Sequence, residues 1–152
     1  VEGREWRLVD ELDLLDEASE KEHRFEIGDA LEFWRNQVTL QYPDGVQIHD
    51  SGIAHRGGWA AWEINNLTPG MPVVVVRRTD YGRGDYWCRI WVGDLEAGEV
   101  PCHGQDTRFR WRNWQFCIHS RFVNHRVIRV KQSIETANRD VNYFKLWFYQ
   151  PV

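Results

Sequence analysis

From Tyr86 to Val92 the chain alternates strictly: Tyr86, Cys88, Ile90 and Val92 fall on one side of an extended backbone, and Trp87, Arg89 and Trp91 on the other. A period of two predicts a β-strand with one apolar face and one face carrying rings and bases. The closing segment repeats the arrangement, with Phe144, Leu146 and Phe148 opposed by Tyr143, Lys145, Trp147 and Tyr149. Between 126 and 132, Ile128 and Val130 oppose Arg129 and Lys131. Val73 through Val76 is an unbroken apolar run, the pattern of a central strand covered on both faces.

Turn signals punctuate these runs at Tyr42-Pro43-Asp44-Gly45, Asp50-Ser51-Gly52, Arg56-Gly57-Gly58, Leu67-Thr68-Pro69-Gly70, Tyr81-Gly82-Arg83-Gly84, Gly93-Asp94 and Cys102-His103-Gly104. Their spacing, about 8–12 residues, is that of a sandwich or barrel. They bound strand candidates near 31–40, 58–64, 72–79, 86–93, 108–118, 126–134 and 142–149. In the acidic segment 1–24, Leu8, Leu12 and Leu15 lie at helical spacing while Val9 and Leu14 break the stripe, so a short helix and an edge strand are both open readings. The expectation is an all-β protein, an antiparallel β-sandwich of jelly-roll type, with 1–152 forming one domain.

Length and charge narrow the chemistry. A domain of 152 residues buries enough surface to fold without disulfides. Its 19 basic and 23 acidic residues leave a formal net charge of −4, which argues against a phosphate-backbone footprint and hence against nucleic acid. The acid is concentrated in Asp10, Glu11, Asp13, Asp16, Glu17, Glu20 and Glu22, so the carboxy-terminal half is locally basic. Cys88, Cys102 and Cys117 have no CxxC spacing and allow at most one pair, indicating neither a zinc site nor a disulfide framework. No apolar run approaches the ~20 residues of a spanning helix, and no membrane partner is expected. A start at Val1 without methionine suggests a processed product or a piece of a larger protein, expected to be secreted or at a bacterial cell surface.

Nine tryptophans in such a chain cannot all be core. Sugar rings present flat C–H faces edged by hydroxyls, which proteins bind with aromatic platforms flanked by charged and amide groups. The decorated faces supply Trp87, Arg89, Trp91, Arg129, Lys131, Tyr143, Lys145 and Trp147 as ligand-binding candidates; Trp59, Trp62, Tyr81, Arg83 and Trp111, near turns, are a second group that a sandwich can gather at one end. The basic content favours acidic sugars over neutral ones. The alternative is that these rings cover a sheet against another domain or subunit. Arg77, Arg78, Asp80 and Asp85 read as hairpin-pinning pairs.

Catalysis is not indicated. Glu63, Asp80, Asp85, Glu96, Glu99 and Asp106 lie in or near loops, but no motif assigns any of them a role, and solvated surface carboxylates are the better reading. The histidine pairs 49/55 and 119/125 do not fit compact zinc spacing. Calcium is the one cofactor considered, with Asp44, Asp50, Asp80 and Asp85 as possible ligands, Asp80 and Asp85 foremost.

The stretch from Val73 to Asp94, with Arg77-Arg78-Thr79-Asp80, a glycine-containing turn and Gly93-Asp94, resembles jelly-roll domains of glycoside hydrolase family 172 type proteins and related carbohydrate-associated modules. The likeness continues through Arg110-Trp111 to Phe116-Cys117-Ile118, the basic strand at 126–132 and Asn142-Tyr143-Phe144 to Tyr149. It covers about residues 58–149, and departs from the pattern in Gly93-Asp94, where that pattern has Asp-Gly, and in Lys145. It implies the fold and an association with carbohydrate; the family's catalytic carboxylates match no position here. The functional expectation is a carbohydrate-binding module or accessory domain, not itself an enzyme, taking a polysaccharide or oligosaccharide through an aromatic and basic face. The alternatives are a small oligomeric glycoside hydrolase related to family 172 and a jelly-roll assembly protein. Because the chain resembles one half of a double jelly roll, self-association or packing on a catalytic domain is expected.

Overall fold

The computed structural model describes residues 5–82 and 84–152, so the candidate Arg83 lies outside the described residues. In chain order the elements are β1 (Trp6–Asp13), α1 (Glu17–Glu22), β2 (Glu26–Gly28), β3 (Glu32–Gln41), β4 (Gln47–Arg56), β5 (Trp59–Ile64), β6 (Val73–Asp80), β7 (Tyr86–Val92), β8 (Leu95–Cys102), β9 (Trp111–Ile118), a 3-10 turn (Ser120–Phe122), β10 (Ile128–Ile134), β11 (Asp140–Tyr143) and β12 (Lys145–Pro151). The expected antiparallel β-sandwich is present. A four-stranded sheet, β1-β12-β6-β9, and a five-stranded one, β2-β5-β10-β7-β8, enclose the core, to which a three-stranded sheet, β11-β4-β3, adds Ile53, Val141 and Tyr143.

Alternation decides what goes inside. Tyr86, Cys88 and Ile90 of β7 are buried and join Ile128, Val130 and Ile134 of β10, Trp62 and Ile64 of β5, Val73 and Val75 of β6, and Leu146 and Phe148 of β12 in one core. Each such side chain contributes about 1.5–3 kcal/mol on removal from water. β6 is central, between β12 and β9, but Val74 and Val76 on its outer face are only half-buried. All three cysteines are free, with Cys88 and Cys102 buried and Cys117 exposed.

The acidic amino-terminal segment turns out to hold both a strand and a helix. β1 pairs with β12 and sends Leu12 into the core. α1 begins at Asp16, whose carboxylate accepts from the Ser19 N–H at 3.2 Å. His23, immediately after α1, ties it down: Nδ1 donates to the Ser19 carbonyl at 2.7 Å and Nε2 to the Asp10 carboxylate at 3.0 Å.

Two sequence expectations about elements are corrected, and one strand is added. Asp50-Ser51-Gly52 is not a turn but the middle of β4, where β11 passes so close that a Cβ on Gly52 would sit 2.3 Å from the Tyr143 carbonyl oxygen. Residues 142–149 are not one strand: the chain bends at Phe144, separating β11, which pairs with β4, from β12, which pairs with β1 and β6. β8 escaped the sequence reading because Gly98 and Pro101 interrupt it, which an edge strand tolerates.

Candidate functional site

Antiparallel partners share a face, so register assigns the decorated side of the five-stranded sheet. Lys131 of β10 is opposite Trp91 of β7, and Ser133 of β10 is opposite both Trp59 of β5 and Arg89 of β7. Trp59, Lys131 and Trp91 thus converge from three adjacent strands: the Lys131 ammonium is 5.8 Å from the Trp59 ring centroid and 5.3 Å from that of Trp91. Two strand spacings across and two residues along separate the tryptophan Cα atoms by about 12 Å, room for more than one pyranose ring. Arg89 continues the strip, its guanidinium 5.4 Å from the Trp87 ring. Trp87, Arg89, Trp91, Arg129, Lys131 and Trp59 are therefore the part of the expected site that the fold brings to one face.

Each platform is fixed from beneath. The Trp59 ring covers the flat backbone of Gly28 in β2, and its Nε1 donates to Asp29 at 3.1 Å. The Trp91 Nε1 donates to Ser133 Oγ at 3.4 Å. The arginines are bound internally: Arg89 pairs with Glu96 at 3.2 Å, Arg129 with Glu26 at 2.7 Å, and neighbouring Arg24 with Glu63 at 2.9 Å. Among the described residues Lys131 has no carboxylate within ion-pair distance.

Other expected members are elsewhere. Trp147 and Lys145 lie on the outer face of the opposite, four-stranded sheet, where the Trp147 ring is flanked by Arg78 at 5.3 Å and Lys145 at 5.5 Å. Lys145 is also drawn to Glu11 and Asp13, at 3.7 and 3.4 Å. Tyr143, expected on the same face as Trp147, is fully buried because the bend at Phe144 resets the alternation. It stacks on His55 with ring centroids 5.6 Å apart, its hydroxyl 3.2 Å from His55 Nε2. His55 Nδ1 donates to the Gly57 carbonyl at 2.8 Å, so Nε2 is the acceptor, and burial holds the imidazole pKa below its ordinary value.

Trp62 is likewise 0% exposed, being three positions from Trp59 and so on the opposite side of β5. Tyr81, at 4%, is sealed between Trp114, edge-on at 5.4 Å, and Arg112, whose guanidinium is 4.4 Å from the ring. Trp111 packs edge-on against Phe144 at 4.7 Å and under Arg78 at 6.0 Å, a structural position rather than part of a loop cluster.

The four pinning residues also have internal partners. Asp80 forms a bidentate pair with Arg110, Arg78 pairs with Asp50 at 2.7 Å, and Asp85 accepts from the Gly104 N–H at 2.6 Å. Asp80 and Asp85 are thereby drawn away from the calcium role considered for them, and among the described residues no group of three or more metal-ligating side chains forms. Arg77 is buried, its Nη2 donating to the Tyr86 hydroxyl at 2.7 Å and its guanidinium 5.3 Å from the Tyr143 ring.

The sequence reading missed a cleft of about 520 Å³ between the three-stranded sheet and the loops around β6 and β9, lined by Trp34, Asn36, Asp80, Arg110, Asp140 and Asn142 among others. Alternation of Trp34 and Asn36 along β3 was the available signal. Asn142 is already engaged there, accepting from Thr79 Oγ1 at 2.5 Å and the Asp80 N–H at 2.9 Å while donating to the Asp80 carbonyl at 3.0 Å. Arg56 pairs with Asp140 at 3.0 Å on the cleft wall.

No family model matches the chain, and no curated protein matches it by sequence. Solved structures do match by shape. A carbohydrate binding module from Cellvibrio mixtus lichenase 5A, in complex with cellotriose, aligns with a TM-score of 0.54 at 10% identity, over 93% of this chain and 97% of that one. The native family 35 carbohydrate binding module from Clostridium thermocellum aligns with a TM-score of 0.50 at 13% identity, over 82% of this chain and 96% of that one. The likeness is one of fold: the chain is built as the β-sandwich of these carbohydrate binding modules.

Proposed function

We propose that the chain is a carbohydrate-binding module, non-catalytic by itself, that docks a polysaccharide across the outer face of the five-stranded sheet. The observation that carries this reading is the convergence of Trp59, Lys131 and Trp91 from three strands, with both indoles held by a hydrogen bond at Nε1. Pre-positioned indoles offer pyranose C–H faces a platform without an ordering cost at binding. Arg89, Trp87 and Arg129 extend the surface along the strands, and the Trp34 cleft offers a second place for a sugar ring. Trp147, Lys145, Tyr143, Trp62, Tyr81 and Trp111 are not part of the proposed contact. A module of this fold holding cellotriose supports the ligand class.

The finer expectations go with this proposal: one domain over 1–152, a bacterial extracellular setting, and work beside a glycoside hydrolase, of which family 172 type proteins are the resemblance. Assembly is the second reading. It is favoured by one observation, the cross-strand row Leu8, Tyr149, Val74 and Cys117 on the outer face of the four-stranded sheet, where Leu8 is 48% exposed.

Calorimetric titration with a panel of neutral, uronate and sulfated polysaccharides tests the binding reading. Trp59→Ala and Trp91→Ala are each expected to weaken the best ligand by about 1–3 kcal/mol, the scale of losing an aromatic anchor, with the β-sheet circular dichroism retained. Unchanged affinity in both variants removes this face from the proposal. Light scattering on the same sample distinguishes a monomeric module from an assembly, and turnover of aryl glycosides would favour the hydrolase.

A further inference from the structure

We infer that the polysaccharide taken by the Trp59–Trp91 strip carries an anionic substituent, a carboxylate or a sulfate, which docks on Lys131. This inference rests on the binding reading above and adds the ligand's charge to it. The sequence alone suggested acidic sugars from the number of basic residues; the structure replaces that count with a single position. Arg24, Arg89 and Arg129 are each bound to a glutamate of the same face, so none of the three is a free cation. Glu135 is likewise engaged, accepting from Ser133 Oγ at 2.7 Å. Lys131 is the exception: it is half-buried as a residue, its ammonium lies between two indoles, and among the described residues no carboxylate comes within ion-pair distance of that ammonium.

A sugar stacked on Trp59 or Trp91 covers that ammonium and strips its remaining water. Desolvating an unpaired cation is unfavourable unless the covering group supplies an acceptor, and a charged acceptor compensates far better than a hydroxyl. The indoles offset this only in part, since the attraction of a ring for a cation, even without intervening water, is smaller than the cost of removing an ion's hydration. One ammonium between two platforms fits one anionic group, with the adjoining rings neutral on their stacking faces. Heavily charged chains gain nothing more, because the glutamates holding the three arginines would repel further anions.

The test compares three probes on the folded protein by calorimetric titration: a neutral β-glucan, a uronate-containing polysaccharide and a sulfated one. The uronate or the sulfated chain is expected to bind about tenfold more tightly than the neutral one, the worth of one charge-assisted hydrogen bond. Which of the two prevails identifies the substituent. Raising salt from 0.05 to 0.5 M is expected to erode the preference. Lys131→Gln should bring the acidic-to-neutral affinity ratio close to one, and Lys131→Arg should restore it; thermal melts of both variants check that the sheet is intact. Equal affinity for acidic and neutral chains in the native protein, or an undiminished ratio in Lys131→Gln, overturns the inference while leaving the binding reading standing. Absence of binding to all three probes defeats both.

Discussion

The indole of Trp59 occupies the space that a side chain on Gly28 would need: a Cβ there would lie 2.1 Å from the ring. β2 is thus bare at this point so that a platform from β5 can lie flat over it. Gly28→Ala is expected to lift or rotate the indole and to lower polysaccharide affinity several-fold without removing any group that touches the ligand. Titration of this variant beside Trp59→Ala checks it; native affinity in Gly28→Ala would mean that the ring's resting position is irrelevant to binding.

The two tryptophan-bearing faces separate ligand contact from stability. Trp147 is held between Arg78 and Lys145 on the sheet opposite the strip. Trp147→Ala should lower the melting temperature, as the two cations lose the ring between them, and leave glycan affinity within error of native. A parallel loss of affinity would move the contact surface to the four-stranded sheet.

Two buried histidines tilt stability in opposite directions with pH. Burial disfavours the charged form of His23, but its hydrogen bonds to Asp10 and to the Ser19 carbonyl outweigh this, and its pKa is raised above 6.5. The native state therefore binds this proton more tightly than the unfolded chain. Its contribution is complete below pH 6.5 and is lost as pH rises through the elevated value. His55 has a pKa lowered by burial, so as pH falls below 6.5 the unfolded chain gains a proton that the native state refuses. Melting temperature is expected to peak near neutrality. His23→Gln should flatten the alkaline limb alone, and a limb unchanged by that substitution would assign it to other groups.

Arg77 is a buried guanidinium whose Nη1 has no hydrogen-bond partner among the described residues. A buried charge is destabilised most when its partner is removed, and least when an apolar group of similar shape replaces it. Denaturant unfolding of Tyr86→Phe, which takes away the hydroxyl that Nη2 meets at 2.7 Å, should show a loss of about 1–3 kcal/mol. The double variant Arg77→Met/Tyr86→Phe, which removes the charge and its partner together, should be near neutral or stabilising. The reverse ranking would indicate that the guanidinium is a net stabiliser of the core.

Alternation alone made β7 legible, from its buried Cys88 and Ile90 to its outward Trp87, Arg89 and Trp91. The same rule applied to β5 would have separated Trp59 from Trp62, since an odd spacing puts two residues on opposite faces. Tyr143 could not be read correctly, because the bend at Phe144 that turns it inward is made by pairing with β4, and β4 itself was hidden behind turn-like residues. Its Gly52 is a glycine for the sake of a neighbouring strand rather than a turn. The charge on the strip was beyond the sequence too: Arg129 and Glu26 are 103 positions apart and Arg89 and Glu96 lie on different strands, so their mutual neutralisation exists only after folding. The Trp34 cleft depends on the same kind of information, being assembled from β3, β4, β11, the end of β6 and two loops.

The thiols are distributed unevenly between the two sides of the molecule. Burial pushes Cys88 up to about 12 and encloses it with Cys102, while Cys117 is exposed on the sheet that faces away from Trp59 and Trp91. A maleimide applied to the native protein has one open target, on the back of the sandwich. The molecule can therefore be tethered to a sensor surface or tagged with a fluorophore in a single known orientation, presenting its tryptophan strip to whatever polysaccharide flows past.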